Sequence, residues 1–142
     1  MKNLLIILFL VVTIKYLWAD EISSNGLICN IEQDDSKRVT HKKLIYHFDN
    51  GIVYAVQVDK QNFPNTINKI LISQYSYDNE QINWEGENSA KTIKYYATLN
   101  KENHILNLEY FFVSGSKTEN NTKKSLYCSL MSWDKIEATL SN

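Results

Sequence analysis

Ser125-Leu126-Tyr127-Cys128-Ser129-Leu130-Met131 reads as a closing strand that carries one of the chain's two cysteines. The other, Cys29, lies in Leu27-Ile28-Cys29-Asn30-Ile31. There Leu27, Cys29 and Ile31 alternate with residues facing the other way, the period-two signature of a half-buried strand. A bridge between the two cysteines ties the last strand to the first and turns everything between into one closed loop. In the chain-entropy picture, closing a loop of roughly 100 residues removes about 4–5 kcal/mol of unfolded-state freedom.

Whether the cysteines pair depends on the compartment, and the start of the chain bears on that. Met1-Lys2-Asn3 is basic, Leu4 to Ile14 is apolar apart from Thr13, and Leu17-Trp18-Ala19 ends in a small residue before Asp20. This pattern predicts a secretory signal peptide over residues 1–19, a signal helix ahead of a single β domain over 20–142. The apolar run is shorter than the ~20 residues of a membrane-spanning helix, although an uncleaved anchor is the alternative. Export to the periplasm or the extracellular space predicts a Cys29–Cys128 disulfide, because two cysteines in an oxidising compartment pair most economically with each other. Two cysteines cannot complete a structural zinc site, and His41, His47 and His104 show no ligand spacing with them. Neither a metal nor a cofactor is expected.

Between the cysteines the chain reads as strands joined by short turns. Leu44, Tyr46 and Phe48 alternate with Ile45 and His47, which places His47 on the polar side. Ile52, Tyr54, Val56 and Val58 resume the alternation after Asp49-Asn50-Gly51. Asn-Gly between alternating runs is the strongest short hairpin signal, since the favoured two-residue turn needs positive φ at both central positions. Ile70 to Tyr77 reads as a strand whose beginning could be a helical turn, and Gln81-Ile82-Asn83-Trp84 is short and strand-like. Ile93, Tyr95, Ala97 and Leu99 form one face of a strand, and Leu106, Leu108, Tyr110 and Phe112 one face of the next. Ser114 to Lys124 reads as a polar, mobile segment, and Trp133 to Asn142 as a tail with one helical turn. The sum is an all-β antiparallel meander of about eight strands closing into a small barrel, which removes exposed edges; a two-sheet sandwich is the alternative.

Setting aside Lys2 and Lys15 with the leader, 13 basic side chains stand against 16 acidic ones, a net charge of −3. Without a basic cluster, nucleic acid and anionic membrane are not expected partners. Glu85 and Glu87 flank Gly86 just after Trp84 and share a face, a carboxylate pair of the kind glycosidases use. Acids at this spacing in a polar turn are usually solvated. No nucleophile motif, phosphate loop or calcium loop is present. The chain reads as a non-enzyme with no catalytic residues. Tyr95 and Tyr96 point to opposite faces of one strand, as do Tyr110 and Phe111, so some aromatics lie outside the core. Trp84, Tyr95, Tyr96 and Tyr110 are therefore candidate binding aromatics, against the plainer reading of cross-strand packing. Asn120-Asn121-Thr122 matches the glycosylation pattern, in what reads as a polar loop.

Cys29, Cys128, Ile82-Asn83-Trp84 and Tyr96-Ala97-Thr98-Leu99-Asn100 together resemble the layout of small exported β-proteins of AT-rich bacteria. Those pair a cysteine in the first mature strand with one near the C-terminus, and carry an Ile-x-Trp and a later Tyr-x-Leu-Asn turn. Here the tyrosine stands one residue further upstream, and the resemblance implies no activity. The Gly-x-Trp of lipocalin first strands is missing. Ser114-Gly115-Ser116 is similar to a Ser-Gly loop of small periplasmic lysozyme inhibitors, also disulfide-tied barrels, but lies later in the chain. The expectation is a small soluble binding or interaction module whose partner is a protein, a glycan or an apolar small molecule. The alternatives are an inhibitor of a secreted hydrolase, presenting a rim loop such as Ser114–Lys117, and a hydrolase using Glu85 and Glu87.

Overall fold

The computed structural model describes residues 22–35, 38–61, 64–114 and 117–141, so the leader assigned to residues 1–19 lies outside them. The strands are β1 (Asn25–Asp35), β2 (Arg38–Asp49), β3 (Ile52–Asp59), β4 (Thr66–Tyr77), β5 (Gln81–Glu87), β6 (Ile93–Asn100), β7 (Ile105–Ser114) and β8 (Lys117–Ser132), followed by helix α1 (Trp133–Leu140). Each strand pairs antiparallel with its neighbours in sequence, and β1 pairs with β8. The result is a closed up-and-down barrel of eight strands, not a sandwich. Cys29 and Cys128 face each other across β1 and β8 and are joined by a disulfide, their Cα atoms 4.1 Å apart.

Local chemistry accounts for the tightest turn. Asp49 pairs directly with Ile52, and Asn50 and Gly51 between them take φ of 48° and 80°. Both values lie in the left-handed region that an asparagine tolerates and a glycine adopts without penalty. β4 is strand throughout, including the start at Thr66, with no helical turn; a register shift opposite Val53 and Tyr54 bends it instead.

Alternation sends one set of side chains inward. Leu27, Cys29, Phe48, Val53, Leu99, Leu106 and Leu108 are almost fully buried there. Each large apolar side chain so buried contributes about 1.5–3 kcal/mol. A second apolar cluster lies on the outside of the barrel, where Trp133 and Ile136 of α1 pack on Ile45 and Val56, with Ile28, Val58, Ile67 and Met131 around them. The C-terminal tail is therefore an eight-residue lid, not a single helical turn. Its ends are tied to the barrel: Trp133 donates its backbone N–H to Ser24 O at 2.8 Å, and Asn65 Nδ2 donates to Leu140 O at 2.8 Å. The second bond satisfies a carbonyl that the helix end would otherwise leave open.

The lid corrects the reading of His47. Alternation does turn it outward, but α1 covers it, leaving it 5% exposed with its ring 4.2 Å from that of Trp133. Its Nδ1 has no hydrogen-bond partner. Burial, then the nearby Lys69 ammonium, holds its pKa below 6.5. Ser114 and Lys117 to Lys124 are likewise strand, not loop. β7 and β8 run on to a Ser114–Lys117 pair, and the backbone of Asn120 lies within β8, at a register shift opposite Phe111 and Phe112. Gly115 and Ser116, the centre of the proposed inhibitor loop, lie outside the described residues.

The ladders of the ring differ in length, and β2 meets β3 over only four pairs, Tyr46–Ala55 to Asp49–Ile52. β1 meets β8 only from Asn25–Ser132 to Cys29–Cys128, and β4 meets β5 only at Tyr75–Trp84, Ser76–Asn83 and Tyr77–Ile82. Beyond them Ser73 Oγ donates to Glu85 O at 2.7 Å, a side chain standing in for the next ladder bond. Among the described residues, no helix is long and apolar enough to cross a membrane.

Candidate binding site

The barrel end at which Ile22 enters contains a cavity of about 460 Å³. Ile22, Tyr77, Ile82, Leu99 and Leu130 give it an apolar floor and wall, because the inward face of each strand runs out at this mouth. Asn79, Lys101, Glu102 and His104 make a polar lip. Ligand cavities of roughly 300–1,000 Å³ with an apolar body and a few polar groups are the usual small-molecule sites, and barrel mouths are favoured places for them.

The lip is stiff because its turns bond to themselves. Asn100 Oδ1 accepts the backbone N–H of Glu102 and Asn103 at 2.9 and 3.0 Å, and Asn103 Oδ1 accepts that of Ile105 at 3.0 Å. His104 sits between them at a φ of 55°. Across the mouth, the Asp78 carboxylate accepts the N–H groups of Glu80 and Gln81, each at 2.8 Å, which holds its pKa below the ordinary carboxylate range. Lys101 bridges the two turns, its backbone N–H bonding Glu80 O and its Nζ reaching Asp78 O at 3.5 Å.

Of the candidate aromatics, the fold brings Trp84, Tyr95 and Tyr110 together inside the barrel, deeper than the mouth and beside Tyr46, which alternation alone did not single out as a site residue. Tyr46 meets Trp84 edge-on at 5.3 Å between ring centroids, and Tyr95 lies 5.9 Å from Tyr110. The Tyr95 ring folds over Gly86, its partner on β5, and occupies the space that any side chain at 86 would need. Trp84 is 3% exposed, and its Nε1–H completes no hydrogen bond. Tyr96 stands on the opposite face, 47% exposed, with Phe111 edge-on at 5.3 Å. These inner rings are core packing more than an open site.

Burial keeps the inner tyrosines protonated. It pushes Tyr95 up to about 12, with Tyr110 adding to the shift, raises Tyr110, and raises Tyr46 furthest, beyond the ordinary range for a phenol. An unfolded tyrosine loses its proton near 10.0 whereas Tyr95 keeps its proton to about 12, so between those values the unfolded chain binds fewer protons and stability falls as pH rises. An alkaline titration followed by circular dichroism and tyrosinate absorbance is expected to show unfolding from about pH 10, with Tyr95→Phe moving the transition upward. Ionisation of all nine tyrosines near pH 10 without loss of structure would contradict the burial argument.

Glu85 and Glu87 do share a face, but it is the outer one, where both are exposed and Glu87 lies 3.8 Å from Lys91. Among the described residues, no three His, Cys, Asp or Glu side chains gather as a metal site. No protein family, curated protein or solved structure matches this chain.

Proposed function

We propose that this chain is an exported, non-catalytic binding protein that takes an apolar small molecule with one polar end into the barrel mouth. The observation that carries this reading is the 460 Å³ cavity, with its floor of Ile82, Leu99 and Leu130 and its hydrogen-bonded polar lip. The basic start and apolar run of residues 1–19 support export, as does a disulfide, which persists in oxidising compartments. Glu85 and Glu87 are both exposed on the outer face and Glu87 lies beside Lys91, an arrangement that favours solvated acids over the hydrolase alternative, and the inhibitor alternative has no feature of comparable weight. The test is native mass spectrometry of the protein from residue 20 onward, titrated with decanoic acid and with decan-1-ol, beside thermal melts. A one-to-one adduct is expected with at least one of them. At about 100-fold excess over Kd the bound form gains about 2.7 kcal/mol, a Tm rise of several degrees. Leu130→Trp, filling the mouth from a partly buried position, removes the adduct while keeping the circular dichroism of the barrel. Folded protein that binds neither amphiphile would sink the proposal.

A further inference from the structure

The outer face of β4–β8 differs from that under α1. Register alone places Ser76, Asn83, Thr98, Asn107 and Ser125 side by side, one from each strand. At about 4.8 Å between strands they extend for roughly 19 Å. Ser125 Oγ donates to Asn107 Oδ1 at 2.6 Å, which turns that amide with its N–H₂ group outward as donor. At the β4 end the row sinks into a trough of about 540 Å³, lined by Ser76, Asn83, Glu85, Tyr96 and Thr98. The trough exists because β4 leaves β5 after three ladder pairs and stands away as a wall. Its other wall is the exposed ring of Tyr96, which Phe111 holds edge-on.

We infer that this trough and the row leading from it form a second binding site, for an uncharged oligosaccharide. The chemistry selects that class. Hydroxyl and amide groups offer donors and acceptors in a line, Glu109 pairs with Lys123 at 3.4 Å and Glu87 with Lys91, and the Glu85 carboxylate at the trough adds an acceptor for sugar hydroxyls. A phosphate or nucleic-acid ligand needs clustered cations, which this face lacks. A protein partner would bury a core of larger apolar or aromatic side chains, where serine is depleted. A sugar ring has hydroxyls around its edge for the row and an apolar C–H face for the Tyr96 ring, which presents a flat apolar surface with a polar tip. The ligand lies across the strands, one ring against Tyr96 and the rest along Asn83, Thr98 and Asn107. The site is independent of the barrel mouth, which has an apolar floor and shares none of its lining residues.

The experiment is a nitrogen-15 chemical-shift titration of the disulfide-bonded protein with cellotetraose, chitotetraose and maltotetraose. Saturable shifts are expected with at least one, at the amides of Asn83, Tyr96, Thr98 and Asn107. Tyr96→Ala is expected to weaken binding about tenfold or more, and Tyr96→Phe, which keeps the ring face, by less than about threefold. Because Tyr96 is exposed, neither change threatens the fold. Leu130→Trp leaves this binding unchanged while abolishing that at the mouth, so the two readings fail separately. The proposal is overturned by folded protein that shows no shifts with any of the three sugars at millimolar concentration, or by binding indifferent to Tyr96→Ala.

Discussion

Replacing Cys29 and Cys128 together by alanine is expected to lower stability by about 4 kcal/mol, within the 2–5 kcal/mol typical of native disulfides. The bridge spans 99 residues of sequence, near the upper end of what loop closure can contribute. Its place in the fold adds to that. Cys29–Cys128 is the last pair of the five-pair β1–β8 ladder, which joins the two ends of the sheet. Cys29 has no exposed surface, so its loss also leaves a small void in the core. A domain of this size is stable by about 5–15 kcal/mol in all, so the loss removes a large part of the margin. Urea unfolding of the double variant, and of wild type with and without reductant, measures it. The midpoint should fall while the fully folded barrel keeps its circular dichroism at low urea. A change under about 1 kcal/mol would mean that the β1–β8 ladder closes without help.

Trp133→Ala carries the second large effect, a loss of about 3 kcal/mol, as for other buried aromatics cut back to alanine. Trp133 joins several contacts at once. It packs at a tilt against His47, lies 4.2 Å beneath the Lys69 ammonium and rests against Gly26, where a Cβ would come within 3.2 Å of its ring. Without it α1 loses its main hold, and Ile28, Ile45, Val56 and Val58 become an exposed patch. Denaturation should show the stability loss, and sedimentation should show association through the uncovered face. A pH series separates this from generic cavity formation. In the wild type His47 is held below 6.5, so the unfolded chain binds the extra proton first and stability falls as pH drops below about 6.5, until the folded-state pKa is reached. The neighbouring charges are Lys69, which lowers that pKa, and Asp49 and Glu137, which raise it. In Trp133→Ala the ring becomes hydrated, and that acid sensitivity should shrink. If it persists unchanged, something other than α1 is burying His47.

Several structural features were legible because their causes are local. Asn50-Gly51 announces its turn through two backbone conformations that few other residue pairs adopt. Leu27, Phe48, Leu99 and Leu106 show their inward direction through alternation, since a one-residue slip would turn each strand's whole apolar set into solvent. Tyr95 and Tyr96 divide between the faces for the same reason. Trp133, Ile136 and Leu140 do mark a helical stripe at spacings of three and four, but over only two turns, too short to stand out from a polar tail. Alternation places His47 on the outer side of its strand but reports only which way a side chain points, and not that α1 later covers it. Ser114 to Lys124 looked like a loop because its side chains are polar, whereas strand pairing there uses backbone groups that every residue has.

About eight strands and the tightest turn are written locally in the sequence, through a period of two and short connections, whereas closure into a barrel and not a sandwich, with Cys29 beside Cys128, came only with the fold. Tertiary structure alone decided where the barrel leaves space. The mouth is assembled from Ile22, Tyr77, Ile82, Leu99 and Leu130, which belong to separate strands and the N-terminal entry, and from a lip made by two different turns. The outer trough exists because β4 parts from β5 after Tyr75–Trp84. Cavities are set by how far neighbouring backbones diverge and which side chains meet across the gap, and residues far apart in the chain carry no local mark of that meeting.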